Sequence, residues 1–169
     1  MVTKIFVCLE VGSEGTGVFV PAYPGCWVFG RTPERALLKV KEAIFDWFRW
    51  IEKHGEHVSD ETKNFEVEVA EMMRVDYNPV EAGKPEPLFW SEIAPVSRKD
   101  ITRTIQLLEY SREDLLKLVS NLSKECLEWL PPNKPRTIKN CLNHISLCRA
   151  MVYYTPKHRF AQQIPTEYI

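Results

Sequence analysis

The sequence predicts an α+β protein: a small β-β-β-α-β sheet domain over residues 1–75, then a two-helix hairpin over about 97–155 that resembles half of a four-helix bundle. Three patterns carry this. Apolar residues alternate near both ends of the first 75 residues, one long amphipathic stripe separates the alternating runs, and two further helical stripes follow a proline-rich connector. The chain has 169 residues, 44% hydrophobic and 27% charged, a globular balance that excludes wholesale disorder and collagen-like repeats.

The elements follow in order. Ile5, Val7, Leu9 and Val11 alternate as one face of a first strand, and Gly12-Ser13-Glu14-Gly15 turns the chain into a second strand over 17–22. The Pro24-Gly25 step breaks regularity before a third strand over 26–30. Thr32-Pro33 then signals a helix start, because the threonine hydroxyl accepts an orphan amide and proline is preorganised for the first helical position. Leu37, Val40, Ile44, Trp47 and Ile51 recur at 3,4,3,4 spacing, with Ala36, Ala43 and Phe48 beside them, and Gly55 suits the helix end. Phe65, Val67 and Val69 alternate with Glu66 and Glu68 as a fourth strand with one wet face.

Residues 76–96 form a connector. Pro79, Pro85, Pro87, Pro95 and Gly83 forbid a helix, yet Phe89, Trp90 and Ile93 are too apolar for a free tether and should pin it to a domain. Ser97 with Asp100 begins a long helix carrying Ile101, Ile105, Leu108, Leu115, Leu118, Val119 and Leu122. A short turn of helix from Ser123 ends at Pro131-Pro132, and Thr137 caps a second long helix to about Tyr154. Residues 156–169 read as a tail.

Charge and cysteine usage bound the function. The net charge of −1 argues against a general nucleic-acid binder. Residues 1–96 carry 10 basic against 16 acidic groups, and residues 97–169 carry 12 against 7, so an acidic front precedes a basic back. Five cysteines without a CxxC pair fit reduced core thiols. The first apolar run stops at Glu10 and no later one nears 18 residues, which predicts a soluble, cytoplasmic protein without membrane contact.

Residues 20–47, VPAYPGCWVFGRTPERALLKVKEAIFDW, carry a Pro24-Gly25-Cys26 turn, a Gly30-x-Thr32 step and a helix with Ala36-Leu37 and Ala43. This pattern resembles the HicB-like (antitoxin) domain. Where that family commonly has acidic residues before the turn and before the threonine, this chain has Ala22-Tyr23 and Arg31. The resemblance implies a partly eroded ribonuclease-H-like sheet without catalytic carboxylates, and a protein partner, typically a small basic RNA-cleaving toxin of the HicA-like kind. The residues themselves offer only Glu10 on the first strand, and no carboxylate cluster of the sort two-metal chemistry needs.

The back half, with Pro131-Pro132, Arg136-Thr137 and Leu142-x-His144, resembles the first two helices of DinB-like four-helix proteins, with Arg136 in place of the usual Trp. That family completes its metal site with two later histidines, and only His144 has a counterpart here. One imidazole does not hold zinc. Cys141-x-x-His144-x-x-x-Cys148 nevertheless places two thiols and an imidazole near one helix face, and with Cys126 or His158 could ligate zinc; read as core cysteines flanked by a histidine, the same spacing needs no metal. Leu38 and Phe45 lie off the main stripe of the first helix and could anchor a partner, or be ordinary exposed apolar residues. The expectation is a non-enzymatic, cofactor-free HicB-like recognition protein, homodimeric through its hairpin. The alternative is a DinB-like metal-binding protein or enzyme fragment using His144 across a dimer, and nucleic acid is not expected as a partner by itself.

Overall fold

A computed structural model describes residues 2–80, 87–93, 95–132, 134 and 136–154, with side chains as far as residue 146. Among the described residues there are four strands and five α-helices: β1 (Thr3–Val11), β2 (Thr16–Phe19), β3 (Trp27–Gly30), α1 (Pro33–Lys53), α2 (Asp60–Lys63), β4 (Phe65–Arg74), α3 (Arg98–Val119), α4 (Lys124–Glu128) and α5 (Ile138–Tyr154). The chain divides into two compact units, Met1–Tyr110 and Ser111–Ile169.

In the first unit the strands form one sheet in the order β3-β2-β1-β4, antiparallel except for the parallel β1–β4 pair. That parallel pair requires a crossover, which α1 supplies. Ile5, Val7, Leu9 and Val18 meet Val40, Ile44, Phe48 and Ile51 of α1 in the core. The buried line on α1 is Ala36, Val40, Ile44, Phe48 and Ile51, with Leu37, Ala43 and Trp47 half-buried beside it. The stripe is thus rotated by about one residue from the spacing-based reading, because a twisted sheet takes a ridge of residues four apart.

Both ends of α1 obey local rules. Thr32 Oγ1 accepts the Arg35 amide at 3.3 Å. At the other end Gly55 takes φ +82°, its amide bonds Glu52 O and the Glu56 amide bonds Ile51 O, a Schellman closure. Gly30 lets α1 start against the sheet: a β-carbon there would lie 2.7 Å from Ala36 Cα and 2.9 Å from Arg35 C.

β4 carries the one irregularity of the sheet. Val7 and Cys8 stand opposite Val69 and Glu71, so Ala70 is an extra residue that reverses the parity of the strand. Glu71 therefore shares the sheet face turned away from α1 with Phe6, Cys8, Glu10 and Phe19. Glu66 and Glu68 on the open edge of β4 are exposed, and such charges discourage edge-to-edge pairing.

The first half of α3 belongs to this unit, and its orientation differs from the expected one. Leu107 is buried, Tyr110 stacks on His54 with ring centroids 4.3 Å apart, and Arg103 pairs with Glu56 at 2.5 Å. Ile101, Ile105 and Leu108, the stripe read from spacing, stay exposed. An aromatic surface (Trp50, His54) and a carboxylate at the end of α1 select the Arg103–Leu107–Tyr110 face instead.

In the second unit α4 is capped by Ser123 on the Cys126 amide, and α5 by a reciprocal pair in which Asn140 N donates to Thr137 Oγ1 and Thr137 N to Asn140 Oδ1. Lys139 reaches from α5 to Glu128 of α4 at 2.7 Å. Leu115, Val119, Leu122, Leu127 and Leu142 are half-buried, and none of the described residues of this unit is fully buried.

Candidate functional site

Of the motif positions of the front unit, Pro24, Gly25 and Cys26 form the turn between β2 and β3. Val20 and Cys26 bracket it: Val20 N donates to Cys26 O, Tyr23 N to Val20 O and Cys26 N to Tyr23 O. Gly25 turns the chain at φ +84°, where a β-carbon would meet nothing yet would strain the backbone. The Trp47 indole donates to Pro24 O at 3.2 Å, and Tyr23 packs on Trp47 at 4.7 Å between centroids. Cys26 is buried beneath this arrangement, and desolvation pushes its thiol from 9.0 up to about 11. A thiol so protonated is a packing group, not a nucleophile. The Pro-Gly-Cys signature is therefore a clamp between turn and helix. Its glycine, carbonyl and sulfur are each consumed in folding.

Glu10 is the carboxylate of β1, and it is only 2% exposed. Spacing placed it near the strand end and gave no sign of such burial. Over Cys8 and Phe19 the same sheet face is covered by residues 87–93, ending in a 3-10 turn at Trp90–Glu92. Phe89 is 1% exposed and lies 5.4 Å from Phe19, Trp90 N donates to Glu71 Oε2 at 2.8 Å, and Ser91 Oγ stands 4.0 Å from Cys8 Sγ. Of the three apolar connector residues, Phe89 does the pinning. Trp90 and Ile93 are exposed. Burial also raises the Cys8 thiol above its ordinary range, with the Ser91 contact opposing the rise.

The candidate ligands on α5 stand differently. Cys141 and His144 are exposed on its first turns, as is Cys126 on α4, while the side chain of Cys148 and all of His158 lie outside the described residues. Among the described residues, no three His, Cys, Asp or Glu side chains converge as a metal site would require. The two partner candidates on α1 are separated by their surroundings. Leu38 is 82% exposed, whereas Phe45 packs on Phe65 at 5.3 Å and on Phe48 at 6.2 Å.

Beside exposed apolar residues such as Leu38, the surface of the front unit carries acidic charge. Asp60 and Glu61 open α2, and Glu66 and Glu68 follow on β4, all exposed. Lys4 answers Glu68 at 2.7 Å and Lys63 answers Glu52 at 2.7 Å. No described helix is long and apolar enough to cross a membrane.

Over 41 residues the chain is 44% identical to the UPF0150 protein Ta0767 of Thermoplasma acidophilum. The aligned stretch covers 24% of this chain and 59% of that protein, so the likeness spans a little over half the length of the relative. UPF0150 is the HicB-like family, and the similarity therefore supports the HicB-like resemblance and not the DinB-like one. No protein-family model matches the chain, and no solved structure matches it.

Proposed function

We propose that this chain is a non-enzymatic HicB-like recognition protein, an antitoxin-type module whose acidic front unit receives a small basic protein of the HicA-like toxin kind. The observation that carries the reading is the 44% identity to a UPF0150 protein. The geometry is in keeping with it. The motif residues are spent on the turn–helix clamp, leaving surface charge rather than a reactive group as what the front unit offers. Asp60, Glu61, Glu66 and Glu68 would steer and seat a basic partner, and Leu38 would add an apolar anchor.

In the same reading the chain works as a homodimer in which two copies of α3 cover each other's open stripe. Ile105 is 52% exposed and continues Ile101 and Leu108 at 4,3 spacing on a face that α1 does not use. A second copy is self-complementary to such a face.

Co-expression with a HicA-type protein tests the proposal. Co-purification of the two in fixed ratio, lost when Glu66 and Glu68 are both changed to Lys, is the expected result. Unchanged recovery of the charge-reversed variant would remove the acidic edge from the account, and no complex with any basic toxin of this kind would remove the function.

A further inference from the structure

Around Cys8 and Phe19 the second sheet face is covered by a segment with few ties to it. Residues 87–93 place a single side chain, Phe89, fully under cover, while Leu88, Trp90 and Ile93 point to solvent. Among the described residues, one hydrogen bond, Trp90 N to Glu71 Oε2, the loose Cys8–Ser91 contact and the packing of Phe89 on Phe19 join the segment to the sheet. Three bonds are internal to it: Phe89 N to Glu92 Oε2 at 3.0 Å, Glu92 N to Phe89 O at 2.9 Å and Ile93 N to Trp90 O at 3.2 Å. The strands beneath are held by the β1–β2 and β1–β4 ladders, and the other sheet face by five buried residues of α1.

We propose that residues 87–93 are a displaceable strap, a small folded unit that lifts off the sheet as one piece and switches the part of the face carrying Cys8 and Phe19 from covered to open. The geometry supplies each requirement. The strap keeps its own turn when it leaves, because its internal bonds do not involve the sheet. The sheet stays intact, because no ladder bond passes through the strap. One phenylalanine and one charge-assisted bond set the cost, so opening takes place far below the free energy of global unfolding. The bulge at Ala70 serves this contact directly by carrying Glu71 to the strap side of the sheet.

Cys8 reports on the switch, since its sulfur lies under Ser91, and Cys26, buried on the α1 side, is the internal control. Iodoacetamide labelling of the full chain, resolved cysteine by cysteine by peptide mass spectrometry, reads both. In Phe89→Ala, Cys8 should alkylate roughly 10- to 100-fold faster than in the wild type while Cys26 keeps its rate. Glu71→Gln, which removes only the charge from the acceptor, should give a smaller rise of about fivefold, again at Cys8 alone. A parallel rise at Cys8 and Cys26 in both variants would mean that the segment opens only with the whole fold. No change at Cys8 in either would mean that the strap does not guard it. Either result overturns the proposal.

Discussion

Single residues in the turn–helix clamp carry more of the fold than their size suggests. Gly30→Ala forces a methyl group into the backbone of Ala36 and Arg35, which cannot yield without moving the start of α1. A loss of about 2–3 kcal/mol in urea unfolding is expected. Gly25→Ala meets no atoms and should cost only the left-handed backbone strain, about 1 kcal/mol. Cys26 adds a pH signature. Its folded-state pKa is raised, so its contribution to stability is whole below pH 9.0 and is lost as pH climbs through about 11. The stability difference between wild type and Cys26→Ala should therefore shrink by about 2–3 kcal/mol across that window. A flat difference would show that the thiol is wetter than its burial implies.

At the scale of elements, what could be read in advance was what local chemistry decides. Thr32-Pro33 and Gly55 mark the two ends of α1 through bonds within a few residues, and Ser97, Ser123 and Thr137 do the same for the later helices. Which face of a helix is used depends on what lies across from it. Nothing in the spacing of α3 reveals that Leu107 and Tyr110 would be chosen over Ile105 and Leu108, because the choice is made by His54 and Glu56, about fifty residues away. The bulge at Ala70 was equally hidden, since a one-residue slip in a ladder leaves no periodicity behind; the pinning of the connector was legible in its apolar residues, but not that Phe89 would be buried while Trp90 and Ile93 stay exposed. The open face of α3 gives a direct expectation. Light scattering after size exclusion should return a dimer, and Ile105→Glu with Leu108→Glu should return a monomer that keeps the wild-type circular dichroism. A wild-type monomer would remove this use of the face.

For the whole molecule, the charge division at residue 96 does not coincide with the structural one, which falls after Tyr110, but both leave the acidic excess in front and the basic excess behind. The acidic groups gather on a sheet unit whose motif residues are occupied in holding it together, and the back half adds the basic excess. The HicB-like resemblance of the front was legible because its signature is local, a turn, a close helix start and a cap. The metal reading of the back was not decidable from spacing, since Cys141 and His144 share a helix face whether or not anything binds there. The central claim is that the front unit recognises a basic protein by charge. Calorimetric titration of the full chain with a purified HicA-type protein, repeated at low and at physiological salt, tests it most directly. The account predicts a saturable complex that weakens as salt rises, and weakens further in the Glu66→Lys, Glu68→Lys double variant; absence of heat and of complex at low salt would contradict it.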